Sequence, residues 1–301
     1  MSASKMTSVD PRNAPPMARI DQLLSATRTV SFEFFPPKTD AEAAILTTAL
    51  HELSDLHPSF VSVTYRGGAE SRQRTFDLVA AMQTDSQLNP MAHLICVAHR
   101  RDELLDILNQ YRQVGVENLM ALGGDPSTEP DAIIGELTYA SELVELARSI
   151  GGFSIGVAAH PLGHPRSASL GQDRDRLAAK LELADFAVTQ FFFAIEEYLS
   201  LVEELAQRGC TKPVVPGIMP VTSLASVPRM ADMGAPVPEW AVSRLQAASE
   251  LGGASAVRAE GITLATELCA ELLERGAPGL HFYTLNNSSA TKEIARALGI
   301  S

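Results

Sequence analysis

Residues 31–38 read Ser-Phe-Glu-Phe-Phe-Pro-Pro-Lys, a β-forming aromatic run that carries one carboxylate, Glu33, and that two prolines stop. Side chains alternate along a strand, so Ser31, Glu33 and Phe35 share one face while Phe32 and Phe34 share the other. Burial of an unpaired carboxylate raises its pKa toward neutrality. A Glu held that way gives up a proton near pH 7, as a general acid must. The alternative is a Glu that snorkels at the strand end or pairs with a Lys.

Other polar residues follow or interrupt apolar runs. Thr64 and Tyr65 close the second run, His93 begins the apolar stretch of the third, and Asp125 follows the fourth. His160 follows the fifth, Gln190 lies within the sixth, and Tyr283 and Asn286 close the eighth. Before Asp125 stand Gly123 and Gly124, whose missing side chains let a ligand approach the backbone, although Gly-Gly-Asp-Pro also describes a plain turn. Gln190 precedes three phenylalanines, and an amide in so apolar a run needs a partner that an amide-bearing ligand would supply. His160 and His164 stand four apart, but the Pro and Gly between them break a helix, so zincin geometry and a metal site are not expected. No Gly-x-Gly-x-x-Gly occurs, which argues against a Rossmann dinucleotide site.

The elements that must position these groups are short β-rich runs: Thr29 to Phe35, Phe60 to Tyr65, Ala92 to Val97, Asn118 to Leu122, Phe153 to Ala159, Phe186 to Phe193, Pro213 to Ile218 and Leu280 to Leu285. Amphipathic stretches lie between them, such as Leu46, Leu50, Leu53 and Leu56, or Ala265, Leu268, Cys269 and Leu272. Eightfold alternation of strand and helix predicts a parallel (β/α)8 TIM barrel, an α/β fold. Active sites of such barrels lie at the carboxyl ends of the strands, where the polar residues above collect. We expect a flexible tail over residues 1–17 and a single barrel domain over 18–301, with extra helices between strands 7 and 8 in the stretch Met219 to Gly279.

Composition narrows the partners. Of 301 residues 46% are hydrophobic and 20% charged, as in a globular protein, and the net charge of −12 disfavours nucleic acid and anionic membrane, which need basic patches. Cys96, Cys210 and Cys269 are odd in number and far apart, which suggests neither a disulfide framework nor a zinc site and fits a reduced cytoplasm. No apolar run approaches the roughly 18 residues of a membrane span. A small ligand is expected.

Phe32-Glu-Phe-Phe-Pro-Pro, Phe60-Val-Ser-Val-Thr-Tyr, His93-Leu-Ile-Cys, Gly124-Asp125, Thr189-Gln-Phe-Phe-Phe, Pro216-Gly-Ile-Met-Pro and His281-Phe-Tyr-Thr-Leu-Asn, in that order, resemble the 5,10-methylenetetrahydrofolate reductase family. The resemblance implies a TIM barrel that reduces methylenetetrahydrofolate to 5-methyltetrahydrofolate with NADH or NADPH, in the family by way of bound FAD. Glu33 then matches the acid that protonates the folate N10, opening the five-membered ring to an iminium cation that accepts hydride. Asp125 matches the carboxylate that contacts the pterin, and Gln190 a residue in contact with both folate and nicotinamide. Thr64, Tyr65, His93, Gly124, His164, Asp173 and Lys180 match positions lining the flavin or nicotinamide site. Tyr283 and Asn287 fall on the substrate side.

Departures from the family pattern bear on the flavin. Many relatives have Arg where this chain has Gly123, an aromatic residue where it has His160, Arg where it has Ala179, and Arg where it has Asn287. Two cations missing opposite a pyrophosphate cost about 3 to 6 kcal/mol, or roughly 10² to 10⁴ in affinity. We therefore expect FAD to bind weakly or not at all, the nicotinamide passing hydride directly to the folate. A Lys or Arg from the 219–279 stretch could substitute for the cation lost at Asn287.

Overall fold

The computed structural model describes residues 18–300 apart from 66–68, 86–87, 98 and 126–134. The expected tail, residues 1–17, lies outside the described residues. The elements run α1 (Ile20–Ala26), β1 (Thr29–Phe34), α2 (Asp40–Ser54), β2 (Phe60–Val63), α3 (Ala69–Asp85), β3 (Pro90–Ile95), α4 (Arg101–Gln113) and β4 (Asn118–Leu122). They continue with α5 (Ala140–Ile150), β5 (Ser154–Ala159), α6 (Leu170–Leu183), β6 (Phe186–Phe191), α7 (Ile195–Gln207), β7 (Val214–Ile218), α8 (Val227–Asp232), α9 (Glu239–Glu274), β8 (Gly279–Tyr283) and α10 (Ser289–Ala297). The eight strands close into one parallel barrel in sequence order, β8 pairing with β1.

Strands buried on both faces read as continuous apolar runs, which is why the sequence pattern marks them so well. The outward faces pack on the helical ring. Leu46 and Leu53 of α2 and Cys269 and Leu272 of α9 enter that layer together with Phe32 and Phe34 of β1. Inside the barrel Phe60, Met91, Met120, Phe186, Val188 and Val215 form a second apolar cluster, closed from below by Ile20 and Leu24 of α1. The α1 plug is fastened by its backbone: Ile20 N–H donates to Asn118 Oδ1 at 2.9 Å and Asp21 N–H to Ser154 Oγ at 3.0 Å. With the lower interior dry and filled, polar chemistry is confined to the carboxyl ends of the strands.

The stretch between β7 and β8 holds a short 3-10 turn (Leu224–Ser226), α8 and the long α9, as the extra-helix reading expects. Gly252 and Gly253 leave helical geometry within α9 and kink it, Gly253 with φ of 63° that a side chain would resist. Among the described residues no helix is long and apolar enough to cross a membrane, and no group of three or more His, Cys, Asp or Glu is arranged to hold a metal.

Candidate active site

Strand register sets the centre of the mouth. Ser31 pairs with Phe60 and His281, and two residues further on Glu33 pairs with Ser62 and Tyr283, so Ser31, Glu33, Ser62, His281 and Tyr283 form one patch. Glu33 Oε2 lies 3.5 Å from His93 Nε2 and 3.8 Å from His281 Nε2, and Ser62 Oγ sits 3.4 Å from both Glu33 Oε2 and His281 Nε2. Ser31 Oγ holds the other ring nitrogen of His281 at 2.8 Å. The carboxylate is buried, with only 8% of the residue exposed.

The sequence reading of a raised Glu33 pKa is corrected here. Burial pushes the carboxyl up, but His281 and His93, with the Ser62 hydroxyl, outweigh it and hold Glu33 below the usual carboxylate range. The reading assumed an unpaired carboxylate, and the closed barrel supplies partners from β2, β3 and β8. Burial, offset in part by Glu33, keeps the His93 pKa below the ordinary imidazole value. Near pH 7 the mouth therefore holds an ionised Glu33.

Two polar atoms beside Glu33 lack a hydrogen-bond partner: His93 Nε2, close to the carboxylate but misaligned for a bond, and Thr64 Oγ1 at the end of β2. A buried polar atom without a partner costs free energy, so both are placed to receive a ligand. The β1 end is clamped from β8: Thr284 Oγ1 donates to Glu33 O at 2.5 Å, while Asn286 accepts from Phe35 N–H at 2.8 Å and donates to Phe35 O at 3.0 Å. Leu285 and Asn286 take φ of 51° and 57° to make this clamp. Beside it a cavity of about 330 Å³ is lined by Phe35, Lys38, Thr64, Arg74 and Asn286 among others.

The β4–β5 edge is organised around a buried ion pair. Asp173 and Arg174 of α6 are both buried; Asp173 Oδ1 accepts from His164 N–H at 3.1 Å and Ser167 Oγ at 2.9 Å. Arg174, fully enclosed, donates to His160 O, Pro161 O, Asp173 Oδ2 and Glu204 Oε2. Lys180 Nζ is spent on Ala158 O at 3.0 Å, and burial pulls its pKa down to about 8. The His160 and His164 rings meet edge to face at 4.7 Å; burial, then His164, lowers the His160 pKa to about 4.

The other expected site residues are held by partners of their own. The Asp125 side chain is 96% exposed and lies 3.8 Å from Arg166 Nη2. Gly124 has φ of 84°, and a Cβ there would come within 2.8 Å of Val97 Cγ2, so this corner demands glycine. Tyr65 turns its hydroxyl to His99 Nε2 at 2.6 Å, away from the mouth centre. Gln190 is held at both ends, Nε2 to Met233 O at 3.3 Å and Oε1 from Phe191 N–H at 3.1 Å. Tyr283 donates to Thr189 O at 2.7 Å, its ring edge-on to His281. Asn287 serves the start of α10, its Oδ1 accepting from Ser289 N–H and Oγ. The 219–279 stretch does bring a cation near it: Arg258 of α9 donates to Ser289 Oγ at 3.2 Å and pairs with Glu293.

Sequence reasoning missed Ser62 and His281 as partners of Glu33, although two-residue alternation from Thr64 and from Tyr283 points at each. Nothing local marks Arg166 or Arg174.

Comparison with known proteins decides the family. The methylenetetrahydrofolate reductase family model matches residues 19–299. The chain is 34% identical over 273 residues to 5,10-methylenetetrahydrofolate reductase of Escherichia coli (strain K12), and 33% identical over 276 residues to that of Pectobacterium carotovorum, each alignment covering 90% of both chains. The chain belongs to the methylenetetrahydrofolate reductase family. It is thus an oxidoreductase, and a nicotinamide cofactor follows from the family, in which FAD is often present as well. The family match spans every element from α1 to α10. Among solved structures, a protein from Clostridium thermocellum whose title states that it binds two copies of 5-methyl-5,6,7,8-tetrahydrofolic acid aligns with TM-score 0.65 at 14% identity, over 94% of this chain and 99% of that one. A tryptophan synthase α-subunit from Pyrococcus furiosus aligns at TM-score 0.52, and both likenesses speak for the barrel alone.

Proposed function

We propose that this chain reduces 5,10-methylenetetrahydrofolate to 5-methyltetrahydrofolate with NADH or NADPH, by direct hydride transfer and without a flavin between them. The observation that carries the reading is Glu33, a buried carboxylate at the mouth of the barrel with two imidazoles and a hydroxyl around it and unpartnered polar atoms on Thr64 and His93 beside it. The nicotinamide supplies the hydride. Glu33 holds a proton for N10 of the folate, so that the bond from N10 to the bridging carbon breaks and leaves an iminium at N5 to be reduced. With Glu33 ionised at rest, that proton must reach the carboxyl when substrate fills the mouth and excludes water, a change that favours the neutral form. The carboxylate left after protonation of N10 lies beside the developing cation and stabilises it.

The donor set fits a flavin poorly. Lys180, which the family resemblance gives to the cofactor, is buried against Ala158 O, and Asp173 is taken up by its own loop. Between His160, Pro161, Gln190, Phe191 and Gly234 there is no space for even a water molecule. Glycine at 123 and alanine at 179 add no cation there. The test is a visible absorbance spectrum of the purified protein, followed by nicotinamide oxidation with methylenetetrahydrofolate before and after addition of FAD. Activity without a flavin band supports direct transfer. A stoichiometric flavin, or turnover only after FAD is added, makes the enzyme flavin-dependent, and no turnover under either condition leaves a folate-binding barrel.

A further inference from the structure

Arg166 stands in the loop between β5 and α6 and reaches across to the end of β4. Its Nη2 donates to Gly124 O at 3.1 Å and lies 3.8 Å from Asp125 Oδ1, and 53% of its side chain is exposed. The loop beneath it is held to an unusual degree. Arg166 N–H donates to His164 Nδ1 at 3.1 Å, Ser167 N–H to His164 O at 2.8 Å, and His164 N–H and Ser167 Oγ both to the buried Asp173. Arg174 then fixes the start of the same loop through His160 O and Pro161 O. A merely solvated Arg needs no such scaffold.

A guanidinium has five donors, and among the described residues those of Arg166 make side-chain hydrogen bonds only through Nη2. The rest of the fork is left for a ligand beside Gly124 O, on a side chain that is 53% exposed. Planar bidentate donors match phosphate oxygens, and on a chain of net charge −12 an anionic ligand depends on such local cations. Each rim cation has a carboxylate near it: Arg74 is closely paired with Glu70 and Lys38 shares its cavity with Glu42, whereas the Asp125 beside Arg166 stands off at 3.8 Å and is 96% exposed.

We propose that Arg166 binds the pyrophosphate of the nicotinamide dinucleotide at the β4–β5 edge of the mouth, with the nicotinamide directed toward Glu33. This rests on the reductase reading for the identity of the dinucleotide and adds the residue that anchors it. The probe is ADP-ribose, which carries the pyrophosphate and lacks the nicotinamide, titrated calorimetrically into wild-type, Arg166→Ala and Arg166→Lys protein beside steady-state kinetics. Arg166→Ala weakens ADP-ribose and raises the KM for NADH by about 10- to 100-fold, the worth of a charged hydrogen bond, while the folate KM and kcat stay within about twofold; Arg166→Lys recovers part of the loss. Unchanged ADP-ribose affinity, no wild-type affinity at millimolar ADP-ribose, or an equal rise in both KM values overturns the proposal and reduces Arg166 to a loop clamp. FAD titrated in parallel separates the two pyrophosphate sources: loss of FAD affinity with ADP-ribose unaffected also overturns it. Arg166-dependent ADP-ribose binding by a protein without reductase turnover upholds the anchor and rejects the reductase reading instead.

Discussion

His93 Nε2 lies 3.5 Å from Glu33 Oε2 yet makes no hydrogen bond, so β3 brings an imidazole to the carboxylate without saturating it. Together with His281 at 3.8 Å this leaves the carboxylate inside an electrostatic cage that favours its charge. On the proposed reading folate enters that cage, and the proton on Glu33 is the quantity that decides turnover. Glu33→Gln keeps the shape and removes the proton. Folate reduction falls by about 10² to 10⁴, the usual worth of general acid catalysis, while ADP-ribose still binds. Near-normal turnover in the variant would show that N10 takes its proton elsewhere.

The depressed Glu33 pKa gives the pH profile a sign. In the free protein the carboxyl lies below its ordinary 4.5, so between pH 8 and that value the protonated fraction grows about tenfold for each pH unit lost. The kcat/KM for folate therefore rises as pH is lowered from 8 toward 5.5, whereas kcat, which reports the loaded enzyme, changes less. Initial rates at limiting folate across that range decide it. A profile that is flat, or that falls toward acid, would mean that Glu33 is already protonated in the free enzyme.

Much of the frame is legible in the sequence because a parallel barrel buries both faces of every strand, and β4 falls on the residues the apolar pattern marks, Asn118–Leu122. The pattern overshoots at β6, where Phe192 remains buried although the strand ends at Phe191. Hydrophobicity reports burial, and burial continues into the loop. The inward direction of Glu33 follows from alternation. Its charge state does not, since that depends on His93 and His281, which only barrel closure brings near. Asp125 and Asn287 show the same limit: exposure and a capping role are set by loop geometry, and the motif text around them carries no sign of it.

His160 ties stability to pH. Its folded pKa is lowered from 6.5 to about 4, so between those values the unfolded chain binds a proton that the folded protein refuses. Stability is fully present above pH 6.5 and is lost as pH falls toward 4, by at most about 3 kcal/mol from this residue. Chemical denaturation at pH 7 and pH 5 measures it, and His160→Gln, which cannot be protonated, flattens the difference by about 2 kcal/mol, the share of the loss that falls between those two pH values. An unchanged difference would place the acid sensitivity in other groups.

Arg174 links the fold to the β4–β5 edge, where the dinucleotide is proposed to bind. Its guanidinium, 0% exposed, neutralises Asp173 and Glu204 and supplies the donors for His160 O and Pro161 O. Arg174→Met fills most of the volume but takes the cation away from the buried Asp173, which keeps only its Oδ1 donors His164 N–H and Ser167 Oγ, and leaves Pro161 O without its donor. Breaking a buried pair from one side costs about 3 to 5 kcal/mol, which denaturant midpoints at unchanged slope would register. The loop it anchors carries Arg166, so the same variant raises the KM for NADH more than the KM for folate. A stability loss without that kinetic asymmetry would mean that the loop keeps its place on Asp173 and β4 alone, with Arg174 confined to the core.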